Sequence, residues 1–291
     1  MSQHNMSQSK VIPRVAAIHD LCGYGNCSLV IVLGVLSAAG LEVCPVPTSY
    51  LAAHTAFPVY SFVDTTPHLR EYLAVWDQLE VQMAGAYSGF LGSAEQITIF
   101  SQLFDRHPDW DLVVDPCMAD HGKRYKTYTD VMCQQMTQLC QRADLILPNM
   151  TEAAILLGRP YPKQNLSRRE AEDILDALLD LGAKNVILKG IERGDGQIVN
   201  ALKGEKQAYC ESAHPLLPYK LHGTGDLFAS IVASAYFRKV DLDQAMILAG
   251  EMLVKAMELS RYQEGYQERG VSYEPLLVEI GSAINRLAAE A

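Results

Sequence analysis

Apolar positions along this chain fall into two alternating patterns. Short, almost wholly apolar runs occupy 15–18, 43–46, 82–86, 112–115, 145–147 and 186–188. Runs of that length, too short for a helix, predict strands buried on both faces. Between them apolar residues recur every three or four positions, which predicts helices over 26–39, 67–79, 94–106, 129–141, 151–157, 168–181, 226–237, 242–262 and 273–289. Strands separated by a helix of this length pair in parallel through crossovers. The expected fold is therefore α/β, a doubly wound, mostly parallel sheet flanked by helices on both faces.

The rhythm breaks twice. Segments 198–202 and 206–211 flank Lys203-Gly204-Glu205 and predict an antiparallel hairpin at the sheet edge. Segment 47–64, which holds Thr48, His54 and Thr55, reads as neither a clean helix nor a clean strand and is expected to be a lid or binding loop. The linker 159–164 is too short to separate domains, so one domain is expected over 1–291, with 1–10 as a polar tail.

A net charge of −10 and a pI near 5.3 exclude the basic face that nucleic acid or an anionic membrane requires. Small molecules and metal cations are the partners this balance favours. No apolar run approaches the roughly 18 residues of a spanning helix, and residues 1–10 lack the apolar core of a secretion signal. A cytoplasmic location is expected. The seven cysteines form an odd set without a C-x-x-C pair, which indicates reduced, mostly buried thiols rather than a disulfide framework or zinc ribbon.

In an open parallel sheet, ligands bind beyond the carboxyl ends of the strands. Asp20, Ser88-Gly89-Phe90, Asp115, Asp120, Asn149, Glu152 and Lys189-Gly190 fall there. Near the end of the chain, His222-Gly223-Thr224-Gly225-Asp226 leads into a helix rich in small residues. Its glycine amides and helix dipole can form an anion hole, and Asp226 in the first turn can accept a proton from an attacking hydroxyl. The plainer alternative makes Asp226 a helix N-cap. Asn149-Met150-Thr151-Glu152 similarly reads as a capping box, a metal-holding pair, or both. Asp120 reads as a strand-end turn residue or a metal ligand. Gly23-Tyr24-Gly25-Asn26-Cys27-Ser28 lacks the third glycine of a dinucleotide fingerprint, and no phosphate-binding P-loop occurs.

The G-T-G-D string, the small-residue helix after it and the N-x-x-E about seventy residues earlier resemble the signatures of the ribokinase superfamily. Residues 17–25, 49–55, 88–93 and 115–122 narrow the resemblance to the pyridoxal/pyridoxine/pyridoxamine kinases. That resemblance implies a ribokinase-like fold, ATP and Mg²⁺ as cofactors with K⁺ as a further candidate, and a homodimer. It implies phosphorylation of the 5′-hydroxymethyl group of a B6 vitamer, with Asp226 as base and Gly223, Thr224 and Gly225 as the anion hole. Asp20, Cys27, His54, Thr55 and Phe90 match the ring contacts, Asp20 standing where the family has Ser and Phe90 where it has Tyr. Asp115, Asn149, Lys189, Gly190, Lys123 and Tyr125 match the nucleotide site, the last lying in a lid over 122–128. Glu152, Asp115 and Asp120 match the metal ligands. The rival readings are a hydroxymethylpyrimidine (phosphate) kinase and a non-catalytic B6-binding protein.

Overall fold

A computed structural model describes residues 12–162 and 165–290. The 1–10 tail and the last two positions of the 159–164 linker lie outside the described residues. The strands are β1 (Arg14–Cys22), β2 (Glu42–Leu51), β3 (Phe62–Asp64), β4 (Gly85–Ser88), β5 (Asp111–Val114), β6 (Ala119–Asp120), β7 (Lys123–Arg124), β8 (Leu145–Ile146), β9 (Asn185–Glu192), β10 (Gln197–Gly204) and β11 (Cys210–Pro215). The helices are α1 (Ser28–Ala38), α2 (Thr66–Gln78), α3 (Ala94–Arg106), α4 (Asp130–Cys140), α5 (Met150–Leu156), α6 (Arg168–Asp180), α7 (Thr224–Phe237), α8 (Leu242–Ser260), α9 (Tyr266–Arg269) and α10 (Leu277–Glu290).

Nine strands form one sheet in the order β11-β10-β9-β8-β5-β4-β1-β2-β3. Every pairing from β9 through β2 is parallel, while β3, β10 and β11 add antiparallel edges. Side chains alternate across the pleat. Ala16, Ile18, Leu112, Val114 and Ile146 therefore join a core with α2 to α6. Val15, Ala17, Val113, Leu145 and Ile187 join a second core with α1, α7, α8 and α10. This is the expected doubly wound architecture, with the parallel strands opening on one edge.

Polar caps fix several helix starts: Ser93 accepts from the Gln96 amide, Thr129 from Met132, and Ser167 forms a capping box with Glu170. The expected boundaries shift for such reasons. Thr129 is a cap rather than a helical residue, and α1 begins only at Ser28 because Asn26 bridges to Gly270. Segment 47–64 is not wholly irregular: 47–51 continue β2 and 62–64 form β3, leaving 52–61 as the loop. The prolines disguised this strand. Pro45 and Pro47 are tolerated because β3 pairs only with 49–51, so their missing donors break no ladder on that side. The edge hairpin exists, but its second strand starts at Cys210 and the turn is built on Gly204 and Gln207.

Two irregularities in the sheet place side chains at the open edge. The β1–β2 register slips at Asp20, where Thr48 and Ser49 together face that one residue. The β9–β10 register slips at Lys189-Gly190, opposite Asn200. Bulges re-aim side chains. Here Gly190 takes φ +73°, and its amide is satisfied by the Asn200 side chain at 3.0 Å.

Candidate active site

The N-terminus of α7 projects into the open edge. Its N-cap is Gly223, in the left-handed region at φ +78°, and a Cβ there would meet the Asn26 carbonyl oxygen at 2.2 Å. Gly225, two residues on, faces open space. Asp226 is thus the third helical residue, which overturns its reading as an N-cap. Its carboxylate accepts instead from the Ser28 amide at 2.8 Å, across the fold at the start of α1. Burial pushes its pKa up to about 6, with the Ser28 amide opposing, Asp115 and Asp20 adding and Lys189 also opposing. Close packing of α7 explains its position: Ala229, Ser230, Ala233 and Ser234 are fully buried, and the helix lies against α1 and α8.

Beyond β5, β8 and β9 a charged group assembles. Lys189 Nζ donates to Asp115 Oδ2 at 2.7 Å, with the side chains 11% and 4% exposed. Burial alone would lower the lysine, but Asp115 and Glu152 outweigh it and raise it to about 12. Asn149 and Glu152 form the capping box: Asn149 Oδ1 accepts from the Thr151 and Glu152 amides, and Glu152 Oε2 accepts from the Asn149 amide at 2.9 Å. Glu152 Oε1 also accepts from the Met118 amide at 2.9 Å, so the carboxylate serves more than its own helix. Burial, then the charge of Asp115, pushes it up to about 8 against Lys189 and the two amides. Each oxygen has used one lone pair.

The β1, β2 and β4 side of the edge gathers other groups. Asp20 is 7% exposed and raised by burial, with Cys22 Sγ donating to it at 3.6 Å. Cys27 is buried beside Cys22 and Leu51. His54 is buried, its ring tilted against those of Phe57 and His222, with Nε2 unpartnered. Thr55 is exposed on the 52–61 loop. Phe90 is partly buried, edge-on to Tyr128, with its carbonyl held by Thr48 at 2.9 Å.

The 122–128 segment belongs to a small β6–β7 hairpin anchored at the edge by Gly122 donating to Thr151 Oγ1 at 2.8 Å and Tyr125 donating to the Met118 carbonyl at 2.9 Å. Its cations do not act as a cluster. Arg124 pairs with Asp130, whereas Lys123 is exposed and makes no ion pair among the described residues. The Tyr125 side chain is partly open to solvent. Asp120 accepts from the His121 amide at 2.8 Å and pairs with the His121 ring, as a strand-end turn residue does.

Three contributors escaped sequence reasoning. Ser28 holds φ +49° and points its amide at Asp226; its only signal was the glycine-rich loop set aside as an incomplete dinucleotide motif. Cys22 reaches Asp20. Cys117, at φ +44°, sits among Asp115, Asp226 and Glu152, and burial followed by those charges raises its thiol well above the usual range.

The sequence profile described as phosphomethylpyrimidine kinase matches residues 38–271. Pyridoxal kinase PdxY of Deinococcus radiodurans is 25% identical over 270 residues, covering 87% of this chain and 89% of that one. Among solved structures, a protein of Bacteroides thetaiotaomicron assigned as a phosphomethylpyrimidine kinase is 32% identical, with a TM-score of 0.89 over 94% of this chain and 96% of its own. Another crystal form of that protein contains pyridoxal. Pyridoxal kinase of Lactobacillus plantarum is 29% identical, with a TM-score of 0.84 over 94% and 97% of the two chains. The profile spans most of the sequence, and the same vitamin kinases recur among sequences and structures: this chain belongs to the phosphomethylpyrimidine kinase family, in the company of the pyridoxal kinases.

Proposed function

We propose that residues 1–291 form one kinase domain that transfers the γ-phosphoryl group of ATP to the 5′-hydroxymethyl group of pyridoxal, pyridoxamine or pyridoxine. The observation that carries this reading is the position of Asp226. It lies within electrostatic reach of both Asp20, in β1, and the Asp115–Lys189 pair, at β5 and β9. Asp226 takes the hydroxyl proton, and a pKa of about 6 leaves it mostly ionised at neutral pH yet still basic enough for the task. The amides of Gly223, Thr224 and Gly225, at the positive end of α7, face the charge that develops on the phosphoryl group.

Asp20, Cys27, His54, Thr55 and Phe90 surround the ring, Asp20 accepting from the 3-hydroxyl or a protonated ring nitrogen. Lys189, Gly190, Asn149, Lys123 and Tyr125 line the nucleotide side. Glu152 fits Mg²⁺: it is a buried carboxylate with lone pairs to spare, and burial and Asp115 raise its proton affinity despite the nearby Lys189. Glu152, with Asp115 and Asp120 nearby, would hold the ion, which when bound neutralises phosphate charge. Lys189 already supplies a fixed cation at Asp115.

Among the described residues no helix is long and apolar enough to cross a membrane. Exposed Val59, Tyr60, Phe62 and Val63 at the β3 edge make an apolar surface suited to a homodimer.

ADP release measured against the three vitamers, hydroxymethylpyrimidine and ribose tests the assignment. The expected outcome is turnover with a B6 vitamer. Turnover with hydroxymethylpyrimidine alone establishes the second reading, which the family profile favours. Pyridoxal binding without ADP release establishes a non-catalytic protein. Asp226→Asn is expected to fold and to lose about 10²–10⁴-fold in kcat; near-normal turnover removes Asp226 as the base. In the unmodified enzyme, activity rises with pH through about 6 as Asp226 ionises.

A further inference from the structure

The Asp20 carboxylate and the Cys22 and Cys27 thiols each offer a donor atom, and the three atoms lie within 4.8 Å of one another. All three residues are buried, with exposures of 7%, 2% and 9%. A carboxylate this deep normally faces a cation. Asp20 has no ion pair among the described residues; only uncharged groups, the Ser28 side chain and the Cys22 thiol among them, reach its carboxylate. Its pKa is raised by burial, and that of Cys27 by Cys22, burial and the nearby carboxylates.

One of the spacings matches an edge of a metal tetrahedron. With Zn–S of about 2.3 Å and Zn–O of about 2.0–2.2 Å, tetrahedral angles place a sulfur and an oxygen ligand about 3.6 Å apart. Cys22 Sγ and Asp20 Oδ2 stand 3.6 Å apart. Two sulfurs and one oxygen select a thiophilic ion over Mg²⁺, which demands oxygen ligands.

We propose that Asp20, Cys22 and Cys27 form a binding site for a thiophilic divalent cation of the Zn²⁺ class, with its fourth position left to a water or a ligand atom. Binding forms two metal–sulfur bonds and one metal–oxygen bond and releases the two thiol protons to solvent, together with any proton held by Asp20. The ion then occupies the ring pocket beside Asp226. Its consequence for turnover rests on the kinase reading: inhibition competitive with the alcohol, reversed by a chelator and not by excess Mg²⁺.

The test reads binding without turnover, so its failure leaves the kinase assignment untouched, and the reverse holds too. Metal-free protein in a non-thiol reductant is titrated with Cd²⁺ while thiolate-to-metal absorption and proton release are followed. One equivalent per chain and two protons are expected, or three where Asp20 is protonated. The absorption is lost in the double variant Cys22→Ser/Cys27→Ser and kept in Cys44→Ser and Cys210→Ser. X-ray absorption of the unmodified chain loaded with one Zn²⁺ provides a second reading should the double variant fail to fold, with two sulfurs at about 2.3 Å expected. Absence of the absorption, its survival in the folded double variant, or a shell of nitrogen and oxygen alone overturns the site.

Discussion

The most informative single groups are those whose charge the fold works against. Lys189 and Asp115 are nearly sealed from water, so removing one leaves the other buried and uncompensated. Lys189→Met is expected to cost about 3–5 kcal/mol in chemical unfolding, with Asp115→Leu/Lys189→Met recovering most of it. Glu152 predicts a pH trend. Its folded pKa of about 8 lies above its ordinary 4.5, so the stability it contributes is fully present below about pH 4.5 and lost as pH rises through 8. Thermal unfolding of the ligand-free chain across that window shows this decline, and Glu152→Gln flattens it. Residue types and spacings announced Asp226, Glu152 and Asn149 in the sequence. Ser28 was not legible, because what it contributes is a backbone amide placed by an unusual φ rather than a side chain.

At the level of elements, the start of α7 shows how two glycines in one motif answer different needs. Gly223 combines φ +78° with an approach of 2.2 Å between a built Cβ and the Asn26 oxygen, whereas the Cβ of Gly225 would meet nothing. Gly223→Ala is therefore expected to lower stability by at least about 1 kcal/mol in denaturant unfolding. Gly225→Ala is expected to keep stability and lose turnover by crowding the phosphoryl site. Strands with uninterrupted apolar runs, such as β5 and β9, were legible from local sequence. The far end of β2 was not, since its prolines are acceptable only given how little of it β3 covers. The bulges at Asp20 and Lys189 were equally hidden, because register belongs to a pair of strands and not to either one.

For the whole molecule, alternation of apolar runs and amphipathic segments was sufficient for the doubly wound architecture. Each odd or even strand position feeds a different core. What the pattern did not give is the antiparallel strand β3 and the surface it carries. Phe62 and Val63 are 43% and 55% exposed there. If the proposed homodimer forms through this edge, Phe62→Asp/Val63→Lys is expected to shift sedimentation from dimer to monomer. An unchanged sedimentation profile rejects this edge as the interface.

The bond from the Ser28 amide to Asp226 ties the loop proposed to contact the ring to the proposed base. Selectivity and reactivity are consequently not separable by design. Any redesign of residues 20–27 to admit a different alcohol also shifts the amide that tunes proton affinity at 226, so new specificities in this scaffold carry altered pH–rate profiles with them. Drift in substrate range among descendants of such a chain would be paced less by the fit of the ring than by how far that one strut can move while the base stays in tune.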